Sequence, residues 1–295
     1  MDENEFLANR FEAHRTHLRA VAYRMLGTLG DADDAVQEAW LRLSRTETGD
    51  VQNLRGWLTT VVSRVCLDML RTRTSRREEP LDVFVPDPIV SRAGGIDPEH
   101  EVLLADSVGL ALQVVLDTLA PAERLAFVLH DMFAMPFDEI APIVGRSPTA
   151  ARQLASRARR RVRGVATVPD ADLDRQREVV DAFLTAARKG EFDALLEVLD
   201  PDAVLRADAG AMPAGASREV HGAPAVAGQA ITFSQRGAQF AQSVLVNGAA
   251  GIVIAPRGRP LAVMAFTVTR GKVMEIDILA DPERINQLDL SVLTD

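Results

Sequence analysis

The spacing of apolar residues changes once along the chain. Up to about residue 165 they recur every three or four positions, as in LRAVAYRML, AVQEAWLRL and GWLTTVVSRVCLDMLR. That spacing lines one face of successive helices. Beyond VATVPDADLD two more amphipathic stretches, about Leu173 to Arg188 and Glu191 to Leu199, give way to short β-branched runs. These are AVLRAD, FAQSVLVNG, GIVIAP, LAVMAFTV and VMEIDIL, separated by Gly, Asn and Pro. A single layer type cannot serve both spacings, so the chain is expected to be multidomain, all-α first and α+β afterwards. PRGRP and TRGK suit tight connections between antiparallel strands, their glycines allowing positive φ.

The helical part divides again. GTLGDADDA closes one helix and opens the next, with Asp31 expected as N-cap and the carboxylates after it near the positive end of the helix dipole. After Arg77 the segment EEPLDVFVPDPIVSRAGGIDPEHE carries four Pro and a Gly pair with no sustained period, which reads as a long linker. The helical period returns in EVLLADSVGLALQVVLDTL, PAERLAFVLHDMF and PFDEIAPIV, followed by a basic helix starting at Ser147. The expected organisation is a helical domain over 1–77, a linker over 78–108, a second helical domain over 109–165 and an α+β domain over 170–295.

Charge gives this organisation a purpose. RSPTAARQLASRARRRVR, from Arg146 to Arg163, holds seven Arg and no acid in a chain of formal net charge -9. It follows FDEIAPIVG at the distance of the second helix of a helix-turn-helix, with Phe137, Ile140, Ala141 and Val144 packing the supporting helix and Gly145 at the turn. Ser147 is a good N-cap and Pro148 a good first residue. Ser147, Thr149, Arg152, Gln153, Ser156, Arg157 and Arg160 are the expected DNA contacts. A second basic cluster, RTRTSRR, offers Arg71, Arg73, Arg76 and Arg77. Two such helices imply a protein that holds two DNA sites at once. From Asp170 onward 18 acidic residues face 12 basic ones, which makes the last domain an acidic module and leaves the basic character local.

Other classes fall away. No run of about 18 apolar residues could span a bilayer, and MDENEFLANRFEAH lacks the order of a secretory signal, so no membrane association and a cytoplasmic location are expected. The single Cys66 lies in an apolar helical stripe and is expected to be a buried structural thiol. No metal site and no cofactor is expected.

Residues 5–165 resemble a bacterial sigma factor of the extracytoplasmic-function group. AYRMLGTLGDADDAVQEAWLRL resembles the part of region two that docks on core RNA polymerase, and LRGWLTTVVSRVCLDMLRTRTSRR its promoter-melting and upstream-hexamer-reading part. LDTLAPAERLAFVLHDMFAMPFDEIAPIVGRSPTAARQLASRARRRVR resembles region four, which reads the minus-thirty-five element. The resemblance implies core RNA polymerase and promoter DNA as partners. It assigns Asp31, Asp34, Gln37, Glu38 and Leu41 to polymerase, and Trp57 with Arg64 to open DNA. The segment after Asp170 resembles SnoaL-like cone-shaped α+β domains, and FVPDPIV resembles the linker motif of the SigJ-like subgroup. RADAGAMPAGASREVHG keeps Asp208 and Gly210 but lacks the Gly triplet and Lys found in one branch.

SnoaL-like folds include enzymes that use a buried Asp or His, so Asp208, His221 and Asp277 are proton-transfer candidates. With Phe233 and Phe266, Asp208 and Asp277 would line a pocket for a small-molecule ligand. Fold likeness alone carries no catalysis, and no catalytic residue is assigned. The expected function is transcription initiation with a C-terminal domain acting in cis. The alternatives are a ligand-sensing or enzymatic SnoaL-like domain fused to a DNA-binding module, and a plain helix-turn-helix repressor.

Overall fold

A computed structural model describes residues 3–45, 53–76, 83–92, 109–165, 169–210 and 217–293. The described residues fall into two compact units, one of residues 3–76 and 115–165, the other of 83–92, 109–114 and 169–293.

The first unit begins with three helices, α1 (Glu3–Leu26), α2 (Leu29–Leu43) and α3 (Leu54–Arg76). Their apolar stripes meet in a core that fully buries Leu18, Tyr23, Leu26, Ala35, Leu58 and Cys66. Gly27, at φ 79°, stops α1 in the left-handed region. Helix α2 therefore starts earlier than the sequence suggests. Thr28 is its N-cap, and Asp31 sits in its first turn rather than at the cap.

The last turn of α1 has carbonyls with no partner inside the helix, and two distant arginines supply donors. Arg73 Nη1 donates to Leu26 O at 3.1 Å, and Arg124 Nε donates to Arg24 O at 3.1 Å. Cations at this end also suit the helix dipole. Arg124 is 1 % exposed, pairs with Asp117 at 2.5 Å, and keeps an Nη2 without a hydrogen-bond partner.

The same unit continues from α4 (Gly109–Asp117), whose first residues group with the second unit, into α5 (Pro121–Phe127), which runs on as a π-turn over Val128–Met132. Helices α6 (Phe137–Val144) and α7 (Pro148–Val165) follow. Gly145, at φ 67°, caps α6, and Ser147 Oγ accepts the Ala150 N–H at 3.2 Å, so the expected turn and cap are both present. The inner face of α7 is Ala151, Ala155 and Ala158, all fully buried. Such small side chains let the helix lie close on its neighbours while its arginines point outward.

In the second unit α8 (Leu173–Lys189), α9 (Phe192–Val198) and α10 (Ala223–Gly237) pack on one face of a seven-stranded sheet. The strands are β1 (Val90–Ser91), β2 (Leu199–Asp208), β3 (Arg218–His221), β4 (Ala241–Val246), β5 (Ala249–Ile254), β6 (Ala262–Thr269) and β7 (Lys272–Leu279), in the order β1-β4-β5-β6-β7-β2-β3. Phe183, Leu184, Leu205, Ile252, Phe266 and Ile276 are at the centre of the core between helices and sheet. Two-residue turns at Asn247–Gly248 and Arg270–Gly271, all with positive φ, join β4 to β5 and β6 to β7 as antiparallel hairpins. Among the described strands, only β2 and β7 pair in parallel. Register shifts in β2 and in the β6–β7 pair add local bending. No helix of the described residues is long and apolar enough to cross a membrane.

Candidate functional site

Helix α7 sorts its arginines by what they touch. Arg157 Nε reaches Glu123 at 2.5 Å and Arg159 Nε reaches Asp131 at 2.5 Å, so these two tie the helix to α5 and its π-turn. Arg152 lies over the Phe137 ring, 5.3 Å from its centroid. Arg146, Arg160, Arg161 and Arg163 are exposed, as are Ser147, Thr149, Gln153 and Ser156. The sequence-expected contacts thus share a helix, but Arg157 is already paired and Ser147 acts as the cap.

Around α2, Asp34, Gln37 and Leu41 are exposed and Glu38 is half-buried, paired with Arg42 at 2.9 Å. Asp31 is withdrawn from this surface, because it is paired with Arg73 and accepts from Thr28. The same geometry engages Arg73. Its guanidinium caps α1 and neutralises Asp31, so the two residues assigned to different partners bind each other. Arg71 stays exposed, 3.7 Å from Asp68. Arg76 ends α3, and Arg77 lies outside the described residues. Trp57 is half-buried and Arg64 exposed. Cys66 is fully buried, and burial pushes its thiol up to about 12, in keeping with a structural role.

A site the sequence did not assemble lies in the second unit. Part of the expected linker is built into the sheet: Val90 and Ser91 form β1 against Val246 and Leu245. Asn247, in the β4–β5 turn, accepts the Ile89 N–H at 3.0 Å and donates its own N–H to Ile89 O at 2.8 Å. Arg284, at the end of the chain's last described α-helix, α11 (Pro282–Ile285), gathers the rest. Its Nε donates to Asp87 at 2.8 Å, Nη1 to Asp208 at 2.7 Å and Nη2 to Val85 O at 2.6 Å, with the guanidinium 4.8 Å from the Phe84 ring centre. Asp208 also accepts the Val85 N–H at 3.0 Å and the Gly210 N–H at 3.0 Å. Asp87 and Asp208 are 3 % and 5 % exposed, so one planar fork satisfies two buried carboxylates and a main-chain carbonyl. The one signal for this in the sequence was the FVPDPIV motif; nothing in the sequence pointed to Arg284. The stretch 211–216 after Gly210 lies outside the described residues.

Among the described residues, those expected to line one ligand pocket do not share a cavity. Side chains alternate between the two faces of a strand. Leu205, Phe266 and Ile276 face the helices, so Asp208 on β2 and Asp277 on β7 face the other way. Phe233 lines a cavity of about 50 Å³ on the helix side with Phe183, Leu184, Ile252 and Met264. The cavity's one polar side chain, Ser234, donates to Ala187 O at 2.6 Å. Asp277 is 1 % exposed and shares Arg206 with Glu275, at 3.2 and 2.8 Å. Burial pushes its carboxyl up to about 6, against the pull of Arg206, while the neighbouring Glu275 adds to the rise. His221 is exposed at the end of β3, 3.3 Å from Glu219. The three proton-transfer candidates therefore do not converge on a cavity.

Residues 10–76 match the family Sigma-70 region 2, and residues 109–162 match Sigma-70, region 4. The chain is 40% identical to the ECF RNA polymerase sigma factor SigJ of Mycobacterium tuberculosis, over 94% of this chain and 92% of that protein. It is 36% identical to the probable ECF RNA polymerase sigma factor SigI of the same species, over 98% of each chain. The crystal structure of M. tuberculosis SigJ covers 96% of this chain and 99% of its own, with a TM-score of 0.77 and 37% identity. With the paired region 2 and region 4 matches and this near-complete overlap, the chain belongs to the extracytoplasmic-function RNA polymerase sigma factors.

Proposed function

We propose that the second unit of this sigma factor regulates it in cis by gripping the segment that joins regions two and four. As an alternative sigma factor the chain binds core RNA polymerase and promoter DNA and is not an enzyme. Within that role Asp34, Gln37, Glu38 and Leu41 form the polymerase-docking face of α2, and Trp57 with Arg64 contacts melted DNA. Thr149, Arg152, Gln153, Ser156 and Arg160 read and grip the upstream element from α7, where Arg and Gln can address base edges as well as phosphates. Its place of work is that of the polymerase, the cytoplasm.

The observation that carries the in-cis reading is the clasp of Arg284 on Asp87 and Val85 O. A linker that is part of a sheet has lost the freedom to set the spacing of the two DNA-binding regions, so whatever holds or releases it governs promoter engagement. A small-molecule ligand has no part in this reading, since the cavity beside Phe233 is about 50 Å³ and lined almost wholly by apolar side chains.

The test is transcription in vitro with core polymerase and a promoter library, comparing the full chain with residues 1–168. Promoter-specific transcripts are expected from the full chain, with a changed output from the truncation. Equal output and equal promoter choice from the two would remove the regulatory role.

A further inference from the structure

The recognition helix carries several exposed arginines, but only Arg152 is held without engaging its donors. Arg157 and Arg159 are committed to Glu123 and Asp131. Arg152 makes no ion pair among the described residues, and its guanidinium lies 5.3 Å from the centre of the Phe137 ring. Phe137 is itself fixed. Its ring stacks on His130, with centroids 3.9 Å apart and planes 28° from parallel. His130 is fixed in turn, its Nδ1 lying 3.0 Å from Met135 O, the geometry of an N–H donated to a carbonyl.

The backbone explains how these three meet. The π-turn over Val128–Met132 adds a residue to the last turn of α5 and so changes the direction in which His130 projects. Ala134 then takes φ 54°, a left-handed conformation uncommon for a residue with a Cβ, and turns the chain so that Pro136 can lead into α6. Strain of this kind, held in place by surrounding contacts, is often found where geometry serves function.

We propose that His130 and Phe137 are positioning residues for Arg152, pre-orienting its guanidinium for base recognition in the upstream promoter element. The inference rests on the reading of α7 as the base-reading helix. An arginine on a flexible stem loses rotamer freedom on binding. One stacked on an aromatic face has already lost part of it, while its in-plane N–H fork stays open to the two acceptors of a guanine edge. The stack therefore acts on discrimination between base pairs more than on overall affinity, which the exposed phosphate-directed arginines supply.

The experiment uses holoenzyme assembled from core polymerase and the full chain, and measures base preference at each position of an upstream element selected from a random library. Arg152→Ala is expected to abolish preference at one base pair; retained preference everywhere would show that Arg152 does not read bases, and would overturn the underlying reading. Phe137→Leu is expected to relax preference at that same base pair by roughly two- to fivefold, the scale of an exposed cation–π contact, and Phe137→Tyr to keep it. His130→Gln, which removes the stacked ring with less disturbance to the helix core, gives the same local relaxation. Unchanged preference in a folded Phe137→Leu or His130→Gln protein would overturn the proposal. So would an equal loss at every position, which marks a general structural defect.

Discussion

Arg284 and Asp87 stand 197 positions apart in the chain, yet their side chains meet at 2.8 Å. Their pairing converts a proline-rich connector into part of a folded unit. Removing Arg284 leaves two nearly buried carboxylates, Asp87 and Asp208, without their shared cation, a loss on the order of 3–5 kcal/mol. Amide hydrogen exchange should report it directly. In Arg284→Ala the Val85 and Ile89 amides, now bonded to Asp208 and Asn247, are expected to lose protection while amides in β6 and β7 keep theirs. Retained protection at Val85 would show that the segment is held by other means. Arg284→Lys should fall between, because a point charge cannot serve Asp87, Asp208 and the Val85 carbonyl together.

Asp277 makes a prediction about pH. Its carboxyl is pushed above the ordinary carboxylate range, to about 6, chiefly by burial. The folded state therefore holds this proton more tightly than the unfolded state. Its contribution to stability is full below about pH 4 and is lost as pH rises through 6, by roughly 3 kcal/mol at most. In Asp277→Asn that part of the pH dependence should be absent. Thermal melts of the two proteins between pH 4 and pH 7 with parallel slopes would contradict the assignment.

Arg124 tests how the first unit is held together. Arg124→Ala leaves Asp117 without its cation and the Arg24 carbonyl without its donor, and is expected to destabilise the chain by about 3–5 kcal/mol. Because a buried ion pair is costly to desolvate, Arg124→Met combined with Asp117→Leu should recover most of that loss. Denaturant unfolding of the single and double variants distinguishes a dedicated ion pair from simple loss of volume; equal losses in both would favour the latter.

On the proposed reading of α7 as a DNA-contacting helix, Glu123 holds a cation, Arg157, that DNA would otherwise engage. The pair is half exposed on the arginine side and contributes little to stability. Glu123→Gln should therefore leave the fold intact while freeing a cation on the DNA side of α7. The salt dependence of promoter binding by the holoenzyme is expected to steepen by about 0.9 in the log–log slope, the value for one added phosphate contact. An unchanged slope would place Arg157 away from the phosphates.

The sequence made the helical regions legible because their apolar spacing is regular, and it placed the cap at Ser147, the turn at Gly145 and most strands of the sheet. It did not reveal α10, whose AVAGQAITFSQRG mixes Gly and β-branched residues. It also missed β1 and β3, which are too short to show a period. The site residues were harder to assign, for a physical reason. An Arg or Asp in a sequence shows its charge but not its partner. Arg73, read as a DNA contact, also caps α1; Asp31, read as a docking residue, pairs with Arg73; and Asp277, read as a pocket residue, faces away from the cavity. Arg284, in an unremarkable DPERI, turned out to hold the linker because that role depends on contacts across 197 positions.

The most direct test of the linker clasp is transcription by core RNA polymerase with the full chain, with Arg284→Ala and with residues 1–168, on promoters selected by the full chain. Release of Val83–Ser91 should shift the output and promoter choice of Arg284→Ala away from the full chain and towards those of the truncation. Arg284→Ala transcribing as the full chain does, while residues 1–168 do not, would contradict regulation through this contact.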